Sequence, residues 1–583
     1  MLPTRLPADL PISSSPHLPL SAPRDVSKNG KKAGFYWNAS ALVDQSRRRF
    51  LAGVGSLTLA SLLDVPRAPA MARAVESSGK APFRLLYSND TTNIVSCISP
   101  YHPPRGPFTD DRLRASIDEA ASADVHLLQP GMGEIPWWKS KVYPAETHYR
   151  SYQQRYGLPL DTFGKYMLAG GDMVQTFTEH CRKRHITPFI SIRLNDAHGL
   201  EAVGKGNGAA MHTVSRFYEE HYREYRLGPN QESAWHHVLN WAIPEVREHK
   251  FALLRELCEN YDLGGLELDF LRHPAYFRVA ETTRDQRRRI MTEFVARVRQ
   301  ALDRAAPARR RWLCVRVPAM LEAHDALGLD LAELVRAGVD MVNLSGYYYT
   351  VQQTDLPKVR QLLPHTALYL EMTHTTLAGK AAGKYDSFPF QRTTPEQFYT
   401  TAHLAYQQGA DGMSLFNFAY YREHGTAGRG PFNEPPFEVL PHLADRPWLA
   451  RQSQWYLLAG SMPKPLAPHC PLPKTLKPGA SAQFALQLAP TEHQRRGGLL
   501  RLMATQKMQR CVWQVECNGI AMPPAAFVRK PIDHPYEAIL GAPEQYATFH
   551  CPRSAVRPGP NIISVKLLQG EPAELTNLDV VLP

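Results

Sequence analysis

Eight cysteines in 583 residues are few, and no two of them stand in a CxxC spacing, which removes zinc ribbons and dithiol redox centres from consideration. Glycine-rich phosphate cradles are missing as well: no GxGxxG follows a strand, so a dinucleotide-binding sheet has no fingerprint here. No HExxH or HxH spacing sets two histidines on one face. No RRM-, KH- or finger-like pattern accompanies the basic residues, which leaves a nucleic-acid role without a carrier. The longest early apolar stretch, Ala52 to Leu63, is too short to span a bilayer.

What remains is the composition of a folded protein, 43% hydrophobic, 21% charged and 10% aromatic, with a mean hydropathy of -0.35. The formal charge of +12 is unevenly spread. Residues 1–72 carry nine Lys/Arg and four Asp/Glu, so the leader supplies five of those charges and the body is only mildly basic. The run Arg287, Arg288, Arg289 falls on a helix whose other face is apolar and reads as a solvated face.

Ser46-Arg47-Arg48-Arg49-Phe50-Leu51, followed by an apolar segment and small-residue sites near Ala70-Met71-Ala72, resembles a twin-arginine export signal. The expectation is a periplasmic or secreted protein with no stable membrane insertion after cleavage, residues 1–74 being a leader. In an oxidising compartment the cysteines are expected to be buried thiols or to form one or two structural disulfides.

From residue 83, eight apolar strands alternate with amphipathic helices, beginning at Phe83, Val125, Ile186, Leu263, Trp312, Val339, Ala367 and Ala410. Eight alternations predict an α/β fold, a (β/α)8 TIM barrel, over residues 75–430. A Pro-rich linker (431–475) then leads to short alternating strands over 476–583, which predict a C-terminal β-sandwich. A doubly wound sheet is the less favoured alternative.

Barrel sites lie at the C-terminal ends of strands, so the candidate residues are the polar ones that alternation turns inward there. Glu267 and Asp269 share one face of the fourth strand. Glu371 stands between Tyr369 and Thr373 on the seventh. Two acids across a barrel mouth are the arrangement that protonates a leaving oxygen while supporting an oxocarbenium-like transition state, so Asp269 and Glu371 are the candidate catalytic pair. Arg193, Asn195, Arg316, Asn343 and Asn417 are inward polar groups suited to sugar hydroxyls. His198, Arg272 and His273 follow strand ends, and Glu267 sits deeper on the same face as Asp269. Trp137 and Tyr347 are candidate stacking rings, with Trp138, Tyr348, Phe418 and Tyr420 as further aromatics. A competing structural reading has Glu267 paired with Arg193 or Arg316 to hold the interior together. No metal or cofactor is expected.

The run from PGMGEIPWWKS through FISIRLNDAHG to AIPEVREHKFALLRELCENYDLGGLELDFLRHP resembles the bacterial glycoside-hydrolase-like barrels, near the family 10-like glycosidases. The phrases ECNGIAM and VRPGPNIISVKLL are similar to sandwich domains that follow such barrels. The resemblance implies a carbohydrate-active barrel and a carbohydrate partner, with no settled substrate. Where those relatives open the fourth strand with Asp-Gly, this chain has Gly264-Gly265. The expected function is glycoside hydrolysis by two carboxylates with retention of configuration. A non-catalytic carbohydrate-binding barrel is the alternative, and oligomeric state is left open.

Overall fold

The structure, a computed structural model, describes residues 79–97, 106–205, 208–228, 234–381, 389–422, 434–458, 471–491, 497–535 and 542–583. The leader and Cys470 lie outside the described residues.

Eight parallel strands close into a barrel: β1 (Leu85–Asn89), β2 (Val125–Leu128), β3 (Thr187–Arg193), β4 (Gly265–Asp269), β5 (Trp312–Pro318), β6 (Met341–Ser345), β7 (Ala367–Thr373) and β8 (Gly412–Phe416). Each pairs with its sequence neighbours, and β1 completes the ring against β8. All eight predicted strands are present, their starts displaced by no more than two residues. Such strands are covered by helices outside and by side chains inside, so they read as continuous apolar runs and announce themselves in sequence. The helix Pro244–Asn260 starts with proline at its first turn and buries Leu253, Leu254, Leu257 and Cys258. Arg287, expected in a solvated face, is instead buried in the helix Arg284–Ala305 and donates to the carbonyls of Asp325 and Thr282. The helix face that carries it packs on the following loop.

The bottom of the barrel is an apolar plug of Leu86, Val125, Leu127, Phe189, Cys314, Met341 and Tyr369. Two glycines make room for it. A Cβ on Gly265 would lie 2.5 Å from the Phe189 ring, and one on Gly412 2.8 Å from the Tyr369 ring. Gly264 precedes β4, where a Cβ would meet Thr187 Cγ2 at 2.4 Å. The place of the missing acid is thus at the closed end of the barrel, a strand's length from the mouth.

The C-terminal strands form two antiparallel sheets, one built on Ala573–Leu582 and Gly498–Ala504, the other on Gly559–Gln569, Ser481–Leu488 and Val512–Cys517. Their inward residues, among them Phe484, Val515, Val565, Leu500, Phe549 and Val580, make one shared core, as a sandwich requires. The stretch read as a linker also contains the strand Gln454–Leu458, which pairs with Ala573–Leu582 and is sewn to the barrel by Gln352. Its five buried residues are flanked by Pro-rich sequence, which hid it. No disulfide joins any two of the seven described cysteines, and all but Cys511 are buried.

Candidate active site

Above the apolar plug the interior turns polar in two layers. The register places Arg193, Asp269 and Arg316 side by side at the ends of β3, β4 and β5, with Asn343 next on β6. Neighbouring residues in a parallel ladder point to the same face, so all of these side chains turn inward, and they part into layers by what they reach: Arg316 for Glu371 and Asp269, Arg193 for Asp90 and Asp196.

The lower layer is organised by Arg316. Its Nε and Nη2 each donate at 2.7 Å to the two oxygens of Glu371, and its Nη1 donates at 3.0 Å to Asp269 Oδ1. Nη2 also reaches Ser345 Oγ and the Tyr347 carbonyl, and the guanidinium lies over the Phe416 ring with its central carbon 4.2 Å from the centroid. Glu371 takes a further 2.6 Å bond from Ser345 and one from Asn343. Because Nη1 points away from the Nε/Nη2 edge of the planar group, the guanidinium stands between the two carboxylates that sequence paired. Both carboxylates reach the same guanidinium, which stands in the gap between them, and both side chains are fully buried.

Asp269 differs from Glu371 in one respect. Its Oδ1 accepts from Arg316 and from the Leu271 amide, while Oδ2, equally buried, has no hydrogen-bond partner. A buried carboxylate oxygen left open is costly and rare outside functional sites. Glu267 lies one step deeper, accepting from Ser191, Asn343 and Cys314 and from neither arginine. The expected Glu267–Arg pair is therefore absent. Burial first, then the negative charge of Asp269, pushes its carboxyl up to about 7, Glu371 adding to the effect against the pull of Arg316.

The upper layer forms the rim. Arg193 pairs with Asp90 at 3.0 Å and with Asp196 at 3.3 Å. Burial would raise Asp90, but the charges of Arg193 and Arg272 outweigh it and hold the carboxyl at about 2. Asp196 also takes His198 Nδ1, with the His273 ring 3.6 Å away. On the far side of the His198 ring, Arg272 Nη2 approaches Nε2 at 2.5 Å. A guanidinium only donates, so in this contact Nε2 is the acceptor, and the bond from Nδ1 to Asp196 orients a ring that is part exposed. Burial drives His273 well below the usual imidazole range, and its Nδ1 accepts from the Ala197 amide. Among the described residues no three His, Cys, Asp or Glu side chains are grouped to hold a metal ion.

Tyr348 is part exposed beneath Arg272, whose central carbon lies 5.4 Å from the ring centroid. Tyr347 and Asn417, which follow the ends of β6 and β8, sit at φ 68° and 55°. Asparagine tolerates that left-handed backbone; tyrosine does so at a cost, and such strain gathers at sites of function. Tyr347 donates to the Arg272 carbonyl, and Asn417 accepts from the Asp90 amide.

Two predicted ligands belong elsewhere. Trp137, 2% exposed, stacks on Phe163 with centroids 3.9 Å apart and donates to Tyr149, which makes it part of the core. Asn195 spends its whole amide on Leu239 N, Leu239 O and Ala275 O and clamps two loops together. Phe418 is likewise a core ring, packed on Tyr87 and Phe398. Conversely, Asp90 and Asp196 were not named from sequence. Both were reachable: Leu86, Ser88 and Asp90 alternate inward on β1, and Asp196 lies three residues beyond Arg193.

No family model matches this chain, and no curated protein does. Among solved structures it is similar to α-L-fucosidase isoenzyme 2 from Paenibacillus thiaminolyticus, at TM-score 0.38 and 10% identity over 62% of this chain and 48% of that one. It is also similar to the PgaB (BpsB) glycoside hydrolase domain from Bordetella bronchiseptica (TM-score 0.37, 11% identity, 62% of this chain and 99% of that one). A third is the Group IV chitinase of Ostrinia furnacalis (TM-score 0.34, 12% identity, 62% and 98%). The chain spans about half the length of the fucosidase. At such scores none of these likenesses carries an argument about activity. What fold and site define together is a closed (β/α)8 barrel with a C-terminal β-sandwich and a doubly layered charged mouth.

Proposed function

We propose that this protein is an exported glycoside hydrolase acting on O-glycosidic bonds of a poly- or oligosaccharide. The observation that carries the reading is Asp269, an inward acid at a barrel-strand end with one oxygen anchored and the other open. In this proposal Asp269 handles the proton at the glycosidic oxygen. Glu371, fixed by Arg316 and Ser345, contributes negative charge beneath the oxocarbenium-like transition state. Retaining enzymes need both carboxyls about 5–5.5 Å apart and facing the anomeric carbon. Arg316 in the gap argues against Glu371 as a covalent nucleophile, so the proposal no longer includes retention. Rim groups Arg193, Arg272 and His198, with Tyr348, would meet sugar hydroxyls.

The test is product release from a panel of labelled glycans by the mature protein, with proton NMR of the first-formed anomer. Inverted product supports the assignment; retained product would require Glu371 or another acid as nucleophile. A second reading, a barrel that binds carbohydrate without cleaving it, is favoured by the same Arg316, which compensates both acids at once. That reading predicts glycan binding with no product at any pH. Export is proposed from Arg47 and Arg48. Replacement of both by lysine should keep the protein in the cytoplasm of a producing cell, measured by fractionation.

A further inference from the structure

Beside the mouth runs an open groove of about 650 Å³ between the loop that follows β3 and the loop that follows β4. Its charged lining is Arg223, Arg226 and Arg278 against a single acid, Glu281, and Trp235, Phe277 and Val279 supply its apolar surface. The three arginines are not equivalent. Arg278 spends its donors on the carbonyls of Glu224, Arg226 and Leu227 and on Glu281, and so braces the wall. Arg223 and Arg226 have no carboxylate partner among the described residues. Each guanidinium rests instead over the Tyr222 ring, at 5.8 and 5.5 Å from its centroid. Arg226 is part exposed, and its Nη1 is buried with no hydrogen-bond partner among the described residues. A buried, unneutralised cationic donor is unfavourable in the empty protein and is relieved by an anion.

The groove is joined to the mouth. Asn195, at the end of β3, clamps its two walls through Leu239 and Ala275, and the Trp241 amide donates to the Tyr276 carbonyl. The β4 loop that forms one wall begins at Arg272 and His273, at the rim.

We propose that this groove is a subsite for an acid-bearing sugar residue, so that the substrate is an anionic glycan: Trp235 supplies a face for a pyranose ring, and Arg223 and Arg226 take its carboxylate or sulfate. The inference rests on the carbohydrate-active reading and narrows it to a substrate class.

Affinity electrophoresis of the mature protein in gels containing polygalacturonate, dextran sulfate or neutral dextran tests it. Retardation by polygalacturonate assigns a carboxylate, and by dextran sulfate alone a sulfate; both should fade as salt rises. Arg223→Ala, at an exposed position, and Arg226→Gln should each weaken retardation at least 5-fold, and Trp235→Ala comparably, while Lys477→Ala, which removes an exposed cation away from the groove, leaves it unchanged. Equal retardation by neutral dextran, unchanged retardation in the Arg223→Ala variant, or equal binding of a DNA duplex overturns the proposal. Cleavage of a neutral glycan without polyanion retardation would sink the subsite and leave the hydrolase standing. Retardation without any cleavage would do the reverse.

Discussion

The two polar layers of the barrel hold similar residues and differ in what they do with them. In the floor, Arg316 is shared by Asp269 and Glu371, and every atom of Glu371 that can accept a bond does so. At the rim, the Asp90–Arg193–Asp196 chain ends in His198, part exposed, with Arg272 and Tyr348 beside it. Floor charges are compensated and water-excluded, so their loss should appear as instability. At the rim Asp90, Arg193 and Asp196 are buried as well, but His198 and Arg272 reach solvent, so the loss of either of these two should appear as altered binding or turnover. Asp269 belongs to the floor, with one oxygen anchored and the other buried and unpaired among the described residues.

The largest effect is expected from Arg316→Met, which strands two buried carboxylates and should cost about 3–5 kcal/mol, read as the urea midpoint. Adding Glu371→Gln to that variant should recover part of the loss; no recovery would mean that Arg316 acts by packing rather than by charge.

An intermediate effect belongs to Glu267. Its carboxyl titrates near 7 in the fold and near 4.5 in the unfolded chain, so the folded state holds a proton that the unfolded state has released between those values. The group's contribution therefore favours the fold below about pH 4.5 and is lost as the pH rises through about 7. Glu267→Gln should flatten that dependence, with a Tm above that of the parent at pH 8 and near it at pH 4, a difference on the order of 2 kcal/mol. A Tm below that of the parent at pH 8 instead would place the folded value below the unfolded one.

The smallest effect on stability should come from the rim. His198→Ala should cost on the order of 1 kcal/mol, because the ring is part exposed, yet should lower turnover on any cleaved glycan 10-fold or more. Tm by scanning calorimetry and kcat, measured on the same sample, separate the two.

The barrel was readable because each strand is a short, mainly apolar run between amphipathic helices, and the inward set on β4 and β7 followed from alternation. What alternation leaves out is register around the ring. Arg316 falls beside Asp269 and within reach of Glu371 only because of how far each strand is staggered, so the acids appeared free to face each other. Trp137 shows a different gap: next to Trp138 in a loop, a ring suits a sugar or a core equally, and Phe163 and Tyr149, distant in sequence, decide it. Asn195 was legible as a buried inward amide, but its partners come from loops 44 and 80 residues away. The strand Gln454–Leu458 was hidden by the Pro-rich sequence on either side of it, and its partner, the C-terminal strand, lies more than a hundred residues further on.

The most direct measurement is turnover by Asp269→Asn, a change that preserves shape and both anchoring bonds to Oδ1 while removing the acid. The account predicts a folded protein that still binds its glycan and has lost at least 1,000-fold in kcat, in line with removal of a proton-handling group. Hydrolysis at the parent rate in that variant would contradict it.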